Sequence, residues 1–309
     1  MIKISIVTSL YKSSPYVGEF YNRCLESIKK IQVDYEFIFV NDGSPDDSAN
    51  KVLEIAAFDK KVILVDLSRN FGQYPAMFAG LNYARGDYVF TIDVDLEEEP
   101  ENILIFYNAL TSDQSLDVVY GIVEKRSGGI IRDNLGKIFH DIMDKLTDEK
   151  IVRDLSWVRL MKIEVVKSLI KFREAETYVS GLHYLVGFKQ HPLIVKKIYK
   201  GNTTYTFAKR VKSALDAVTS FSSKPLFFIS IFGALISLIS LSFLIILVVS
   251  KLFGSYYQLG WSSIIISIWL VGGMNLFSMG IIGIYLSKIF IQVKNRPLYI
   301  VKSITNYEI

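Results

Sequence analysis

The sequence is short of the residues that build disulfide frameworks and soft-metal centres. Among 309 residues there is one cysteine, Cys24, and three histidines, His140, His183 and His191. A single thiol excludes an internal disulfide and a cysteine-rich metal site. Its place in a helical apolar pattern predicts a packed, inert side chain. The histidines show no ligand spacing and are read as structural. There is no internal repeat and no low-complexity segment. The opening residues, Met1-Ile2-Lys3-Ile4-Ser5-Ile6-Val7, lack the charged head and long apolar core of a secretory leader, so the N-terminal region is expected to stay in the cytoplasm. A strong charge imbalance is missing too. The formal net charge of +4 and a pI near 8.8 give no case for a nucleic-acid partner.

Apolar residues are plentiful. They make up 50% of the chain, with a mean hydropathy of +0.31, and the excess lies beyond residue 224. Pro225–Ser250 and Trp261–Ser287 carry no charge, and each is long enough to cross about 30 Å of hydrocarbon. The eleven residues from Lys251 to Trp261 between them predict a helical hairpin with both outer ends on one side. Lys209, Arg210, Lys212 and Lys224 precede the hairpin, and Lys288, Lys294, Arg296 and Lys302 follow it. This positive bias predicts a multi-pass inner (plasma) membrane protein with both termini in the cytoplasm. Phe207, Val211, Leu215, Val218 and Phe221 form one stripe, opposite Lys209, Arg210, Lys212 and Asp216, which predicts an amphipathic helix along the bilayer surface. Gly272, Gly273, Gly280 and Gly283 permit close packing within the hairpin or between subunits of a homo-oligomer. The expected plan is a catalytic domain over 1–205, a juxtamembrane helix over 206–224, a two-span hairpin over 225–287 and a tail over 288–309.

The first hundred residues alternate strand and helix patterns. Strands are expected at Lys3–Leu10, Tyr35–Val40, Val62–Leu67 and from Tyr88, with helices over about 19–31, 48–58 and 73–83. Such alternation predicts an α/β fold with a parallel-rich, doubly wound sheet, whose functional loops lie at the strand C-termini. That edge would gather Tyr11, Asp42, Arg69, Asp93 and Asp95. Further on, a strand is expected at 117–122, a turn plus amphipathic helix over Trp157–Leu169, and an alternating stretch over Leu193–Tyr199.

The strand from Tyr88 ends in Asp93-Val94-Asp95-Leu96-Glu97-Glu98-Glu99-Pro100-Glu101. Two aspartates one residue apart offer hard oxygen ligands to Mg²⁺ or Mn²⁺, which can hold a diphosphate. Glu98, Glu99 and Glu101 are expected to be a solvated helix start. Taken alone, Asp42 in Asn-Asp-Gly-Ser is a turn residue, and Arg69 is as suited to pinning a loop as to touching phosphate.

Asp42-Gly43-Ser44, Arg69-Asn70-Phe71-Gly72 and Asp93-Val94-Asp95-Leu96, in that order and spacing, resemble the family 2 glycosyltransferases. Trp157-Val158-Arg159-Leu160-Met161, Ser220-Phe221-Ser222-Ser223-Lys224-Pro225-Leu226 and Val293-Lys294-Asn295-Arg296-Pro297-Leu298-Tyr299 narrow this to the polyprenyl-phosphate glycosyltransferases, the dolichol-phosphate mannose synthase and bactoprenol glucosyltransferase group. The resemblance spans about residues 3–303. It implies a GT-A fold and inverting transfer of a sugar from a nucleotide diphosphate sugar, UDP-glucose foremost, to polyprenyl phosphate in the bilayer. By the same resemblance Asp42 contacts the base, Tyr11 lines its pocket, and Asp93 and Asp95 hold the diphosphate through Mg²⁺ or Mn²⁺, with Glu97 in place of a family glutamine. Arg159, with Arg126 or Arg132, binds the acceptor phosphate. The chain departs from the pattern in its first loop, Ser9-Leu10-Tyr11-Lys12-Ser13, where relatives carry a glutamate. It departs again at Trp157, where they carry an aspartate; Asp154 is the nearest remaining carboxylate. Two other readings are a membrane-anchored transferase acting on a sugar hydroxyl and a non-catalytic scaffold of the same fold.

Overall fold

The structure, a computed structural model, describes residues 3–123, 155–172, 186–198, 219, 222, 224–252 and 260–307. Short runs rich in β-branched and aromatic residues form strands, and helically spaced apolar runs form the helices between them. The order is β1 (Lys3–Leu10), α1 (Val17–Ile31), β2 (Asp34–Asn41), α2 (Ser48–Phe58), β3 (Val62–Leu67), α3 (Gln73–Tyr83), β4 (Tyr88–Thr91), α4 (Asn102–Ser112) and β5 (Val118–Val123). Then come β6 (Leu155–Lys162), α5 (Ile163–Leu169), β7 (Gln190–Val195), α6 (Lys224–Leu252), α7 (Trp261–Val293) and β8 (Val301–Thr305).

The strands form one sheet in the order β7-β5-β6-β4-β1-β2-β3-β8. β4, β1, β2 and β3 run parallel, as expected; β6 is antiparallel to both β4 and β5, β7 is parallel to β5, and β8 is antiparallel to β3. Alternate side chains enter two cores. Ile4, Ile6, Leu10, Phe37, Phe39 and Phe90 pack with α1, α2 and α4, while Val7, Ile38, Val40, Val65 and Val89 pack with α3 and α5. Helix α3 lies so close to the sheet that a Cβ on Gly80 would collide with Val7 and Val40. The residue there is held to glycine by space, and the close seat fixes where α3 begins.

Two segments differ from the sequence reading. Trp157–Lys162, expected as turn and helix, is strand β6, because Val158 and Leu160 enter one core and Met161 the other while β4 and β5 pair with it on both sides. Pairing on two edges outweighs the local helical pattern. The segment 288–309, expected as a tail, holds β8, whose pairing covers the outer edge of β3. β7 also begins earlier than the alternation over Leu193–Tyr199 suggested. The predicted helix over 207–221 lies outside the described residues apart from Thr219, and His140 and His183 lie outside them too.

The sheet and its flanking helices form one compact unit, and α6 and α7 belong to a second. α6 has 29 residues and α7 has 33. Among the described residues, one helical stretch, Ser267–Val293, is long and apolar enough to cross a membrane by length and composition. Among the described residues, nothing stands within 4 Å of where a Cβ would be on Gly272, Gly273, Gly280 or Gly283.

The loops after β1 and β2 are laced together by Asp46. Its carboxylate accepts from the Ser44 hydroxyl at 2.6 Å, the Ser14 amide at 2.9 Å, the Ser48 amide at 3.2 Å, and the Ser48 hydroxyl. The Lys12 amide in turn donates to Ser44 Oγ at 2.7 Å, and the Ser13 amide to Ser48 Oγ at 3.0 Å. Burial raises the Asp46 pKa, but these bonds together outweigh it and hold the group at about 2. A carboxyl held below its unfolded value stabilises the fold fully above about pH 4 and loses that contribution as pH falls towards 2. Asp46→Asn is therefore expected to lower the melting temperature at neutral pH. The gap to the parent protein should narrow as pH drops from about 4 to about 2, which acid unfolding followed by tryptophan fluorescence would measure.

Candidate active site

Chain order reverses direction at β1: β2 and β3 follow on one side and β4 lies on the other. This is the point where open α/β sheets leave a crevice outside the strand C-termini. The loops after β1, β2, β3 and β4 all leave from that edge, because those four strands are parallel.

Asp42 follows directly on β2 and is 2% exposed. Its amide donates to Leu10 O at 3.0 Å, and its carboxylate accepts from the Phe71 and Gly72 amides at 2.7 and 2.9 Å. Burial raises its pKa, opposed by those two amides and by Arg69. Asp42 thus ties the β3–α3 loop to the β2 loop. The next residue, Gly43, has a φ of +58°, and a Cβ on it would stand 2.5 Å from the backbone of Arg69 and Asn70. Arg69 stacks on Phe71 at 4.1 Å and donates to Asn70 O at 2.9 Å, so in this structure it braces its own loop. Tyr11, across the crevice edge, is 49% exposed, with the Lys12 ammonium 5.7 Å from its ring.

Beyond β4 burial alternates along the acidic segment. Ile92, Val94, Leu96 and Glu98 are buried, while Asp93, Asp95 and Glu97 are half-buried. Asp95 accepts from the Glu97 amide at 2.9 Å across a turn in which Leu96 takes a φ of +59°. A leucine there costs about 1–2 kcal/mol, offset by burial of its side chain. Asp93 accepts from Gln73 Nε2, at the start of α3, at 2.8 Å. Burial first, and then the charges of Glu98 and Asp95, push the Asp93 pKa up to about 7; Lys197 and Gln73 pull the other way.

Glu98 is not the solvated helix start expected, whereas Glu101 does stand at the start of α4 with its side chain 41% exposed. Glu98 falls on the core side of the alternation, is 1% exposed, and accepts from Lys197 Nζ at 3.1 Å and Ser156 Oγ at 3.0 Å. Glu101 forms a two-pronged pair with Arg23, at 2.9 Å from Nε and 2.7 Å from Nη2, which lowers its pKa. Glu97 also pairs with Lys197, at 3.2 Å. Among the described residues no group of three carboxylate, histidine or cysteine side chains converges as a ready-made metal cage. Gln73, Ser156 and Lys197 were not singled out from the sequence. None lies in a motif, and they reach the acidic loop only through folding.

Arg159, on β6, is 4% exposed and stands opposite Thr91 and Tyr120 in the strand pairing, its guanidinium 5.9 Å from the Tyr120 ring. Thr91 lies two residues before Asp93, so β6 brings Arg159 beside the strand that carries the carboxylates. Asp154, Arg126 and Arg132 lie outside the described residues.

The Asp42 clamp yields a stability prediction. Asp42→Ala removes two charge-assisted bonds to backbone amides and is expected to cost about 3 kcal/mol, and Gly43→Ala should destabilise comparably through its backbone clash. Gly18→Ala, exposed within α1 with open space at its Cβ, should instead be neutral or stabilise by up to about 1 kcal/mol. Thermal unfolding of the purified variants would check the ranking.

The family described as Glycosyl transferase family 2 matches residues 5–170 of this chain. A Mycobacterium tuberculosis protein named among glycosyltransferases is 44% identical, over 98% of this chain and 88% of its own length. The SfII prophage-derived bactoprenol glucosyl transferase of Shigella flexneri is 30% identical, over 97% of this chain and 98% of its own. A solved mannosyltransferase of Pyrobaculum calidifontis, in complex with GDP-Man and Mn²⁺, aligns with a TM-score of 0.48 at 16% identity, covering 70% of this chain and 63% of that one. With more than half of its residues matched by the family, and with relatives that align over nearly its whole length, the chain belongs to glycosyl transferase family 2.

Proposed function

We propose that this glycosyltransferase moves a sugar from a nucleotide diphosphate sugar, with UDP-glucose the leading donor, to polyprenyl phosphate, supplying a lipid-linked sugar for cell-envelope glycan. The observation that carries the reading is one chain combining a carboxylate-rich loop at a sheet's C-terminal edge with long apolar helices whose described side chains are mostly exposed. A transferase with a lipid-borne acceptor needs both. The near-full-length likeness to a bactoprenol glucosyl transferase supports the acceptor class. In this reading 1–205 is the cytoplasmic catalytic domain, 206–224 lies on the bilayer surface and 225–287 crosses it twice.

The residues suit a divalent cation. Burial and the neighbouring charges of Glu98 and Asp95 raise the Asp93 pKa to about 7, a crowding that a cation would relieve, and carboxylate oxygens match Mg²⁺ or Mn²⁺. Asp93 and Asp95 would hold the ion, which when bound neutralises charge on the leaving diphosphate. The loops joined by Asp42, with Tyr11, would orient the nucleotide. Arg159, with Arg126 or Arg132, would bind the acceptor phosphate through the forked guanidinium. A phosphate monoester has its second pKa near 6, so at cytoplasmic pH much of the acceptor is already an anionic nucleophile and needs little help from a general base. Positioning then dominates, and Asp154 is assigned no proton-abstracting step.

Incubating the membrane-reconstituted protein with undecaprenyl phosphate and a panel of labelled nucleotide sugars tests this. Label should enter lipid. Asp95→Ala should lower transfer at least about 100-fold, and Asp154→Ala should lower it much less. Label entering a sugar-hydroxyl acceptor but never polyprenyl phosphate would favour the polysaccharide reading. Absence of both transfer and donor hydrolysis would favour the scaffold.

A further inference from the structure

Lys197 lies two residues beyond the end of β7 and touches the acidic loop in several ways. Its ammonium stands 3.2 Å from Glu97 Oε2 and 3.1 Å from Glu98 Oε1. The Ile198 amide donates to Glu97 O at 2.7 Å, and Glu98 and Lys197 form an antiparallel bridge. Both the side chains and the backbone of the loop are therefore held from β7. Glu98 depends on this most, since Ser156 and Lys197 share its Oε1 while its Oε2 is buried with no hydrogen-bond partner among the described residues. A carboxylate buried with one oxygen unanswered needs an adjacent cation. The two partners also raise the Lys197 pKa against the effect of its own burial, so the ammonium stays charged.

The arrangement bears on the cation site of the preceding reading, on which this inference rests. Mg²⁺ in nucleotide sites is held by one or two carboxylates and completes its shell with water and substrate phosphate. Were Glu97 and Glu98 free to turn towards the ion as well, they would take positions that the diphosphate needs. Lys197 engages both glutamates. We infer that Lys197 is a positioning residue for Asp93 and Asp95: it fixes the loop from β7 and withholds Glu97 and Glu98 from the divalent cation, so that only the two aspartates face the donor diphosphate.

The test uses the full chain in nanodiscs and compares Lys197→Met, Lys197→Arg, Glu98→Gln and the double variant Lys197→Met/Glu98→Gln. Mn²⁺ binding, read from the paramagnetic signal of free Mn²⁺ without nucleotide, should tighten at least about tenfold in Lys197→Met. It should stay at the parent value in Lys197→Arg and return towards it in the double variant. Hydrogen exchange of amides 94–98 should quicken at least about tenfold in Lys197→Met while β4 is unchanged. A purely structural lysine would lower the melting temperature without tightening Mn²⁺ binding. Unchanged or weakened Mn²⁺ affinity in Lys197→Met overturns the withholding role, and unchanged exchange at 94–98 overturns the positioning role. If the parent protein binds no Mn²⁺, the cation reading fails and the withholding role fails with it; exchange at 94–98 then decides the positioning role by itself.

Discussion

Carboxylates packed side by side repel, and the loop after β4 sets four of them in six residues, from Asp93 to Glu98. Much of the surrounding architecture answers that repulsion. Gln73 reaches Asp93 from the first turn of α3, and α3 can sit there because Gly80 lets it press onto the sheet. The Glu97 amide closes back on Asp95, at the cost of a left-handed Leu96 anchored in the core. Lys197 arrives from a strand at the opposite edge of the order and engages the two glutamates. What stays uncompensated is concentrated at Asp93, whose pKa rises to about 7. Among the described residues, Lys197 makes its ion pairs with the two glutamates, while Asp93 receives the neutral Gln73 amide.

Carboxylates elsewhere on the same edge do different work. Asp42 and Asp46 accept from backbone amides and serine hydroxyls, so they join one loop to the next. Because both oxygens of Asp42 are already engaged by Phe71 and Gly72, its first contribution to the crevice is to set the shape of the wall. Gly43 belongs to the same device, since only a residue without a Cβ lets the two loops meet. One chemical group thus serves as hinge pin in two loops and as open charge in a third, and its neighbours decide which.

Much of this was legible in the sequence. Runs such as Tyr35-Glu36-Phe37-Ile38-Phe39-Val40 announce a buried strand by themselves, and four of them alternating with helices imply parallel order and one shared functional edge. That alternation alone implies that Tyr11, Asp42, Arg69, Asp93 and Asp95 share one side of the sheet. The antiparallel half of the sheet was harder. Trp157–Lys162 carries Arg159 and Lys162 among its apolar residues, and its strand character comes from β4 and β5 pairing on either side. Val301–Thr305 is strand only because β3 offers a free edge.

By itself the sequence determined the alternating α/β core, the acidic strand end and the uncharged apolar segments, because each is written in local periodicity and composition. The tertiary structure alone decided which acids are open and which are spoken for. Glu98 reads as one more solvated acid in a run of three, yet it is buried against Lys197 and Ser156, residues about a hundred and about sixty positions away. Glu101 likewise finds Arg23 on a helix 78 residues earlier. Ion pairs across such separations leave no local signature, since their energy depends on distance in space and on burial, neither of which the order of residues records.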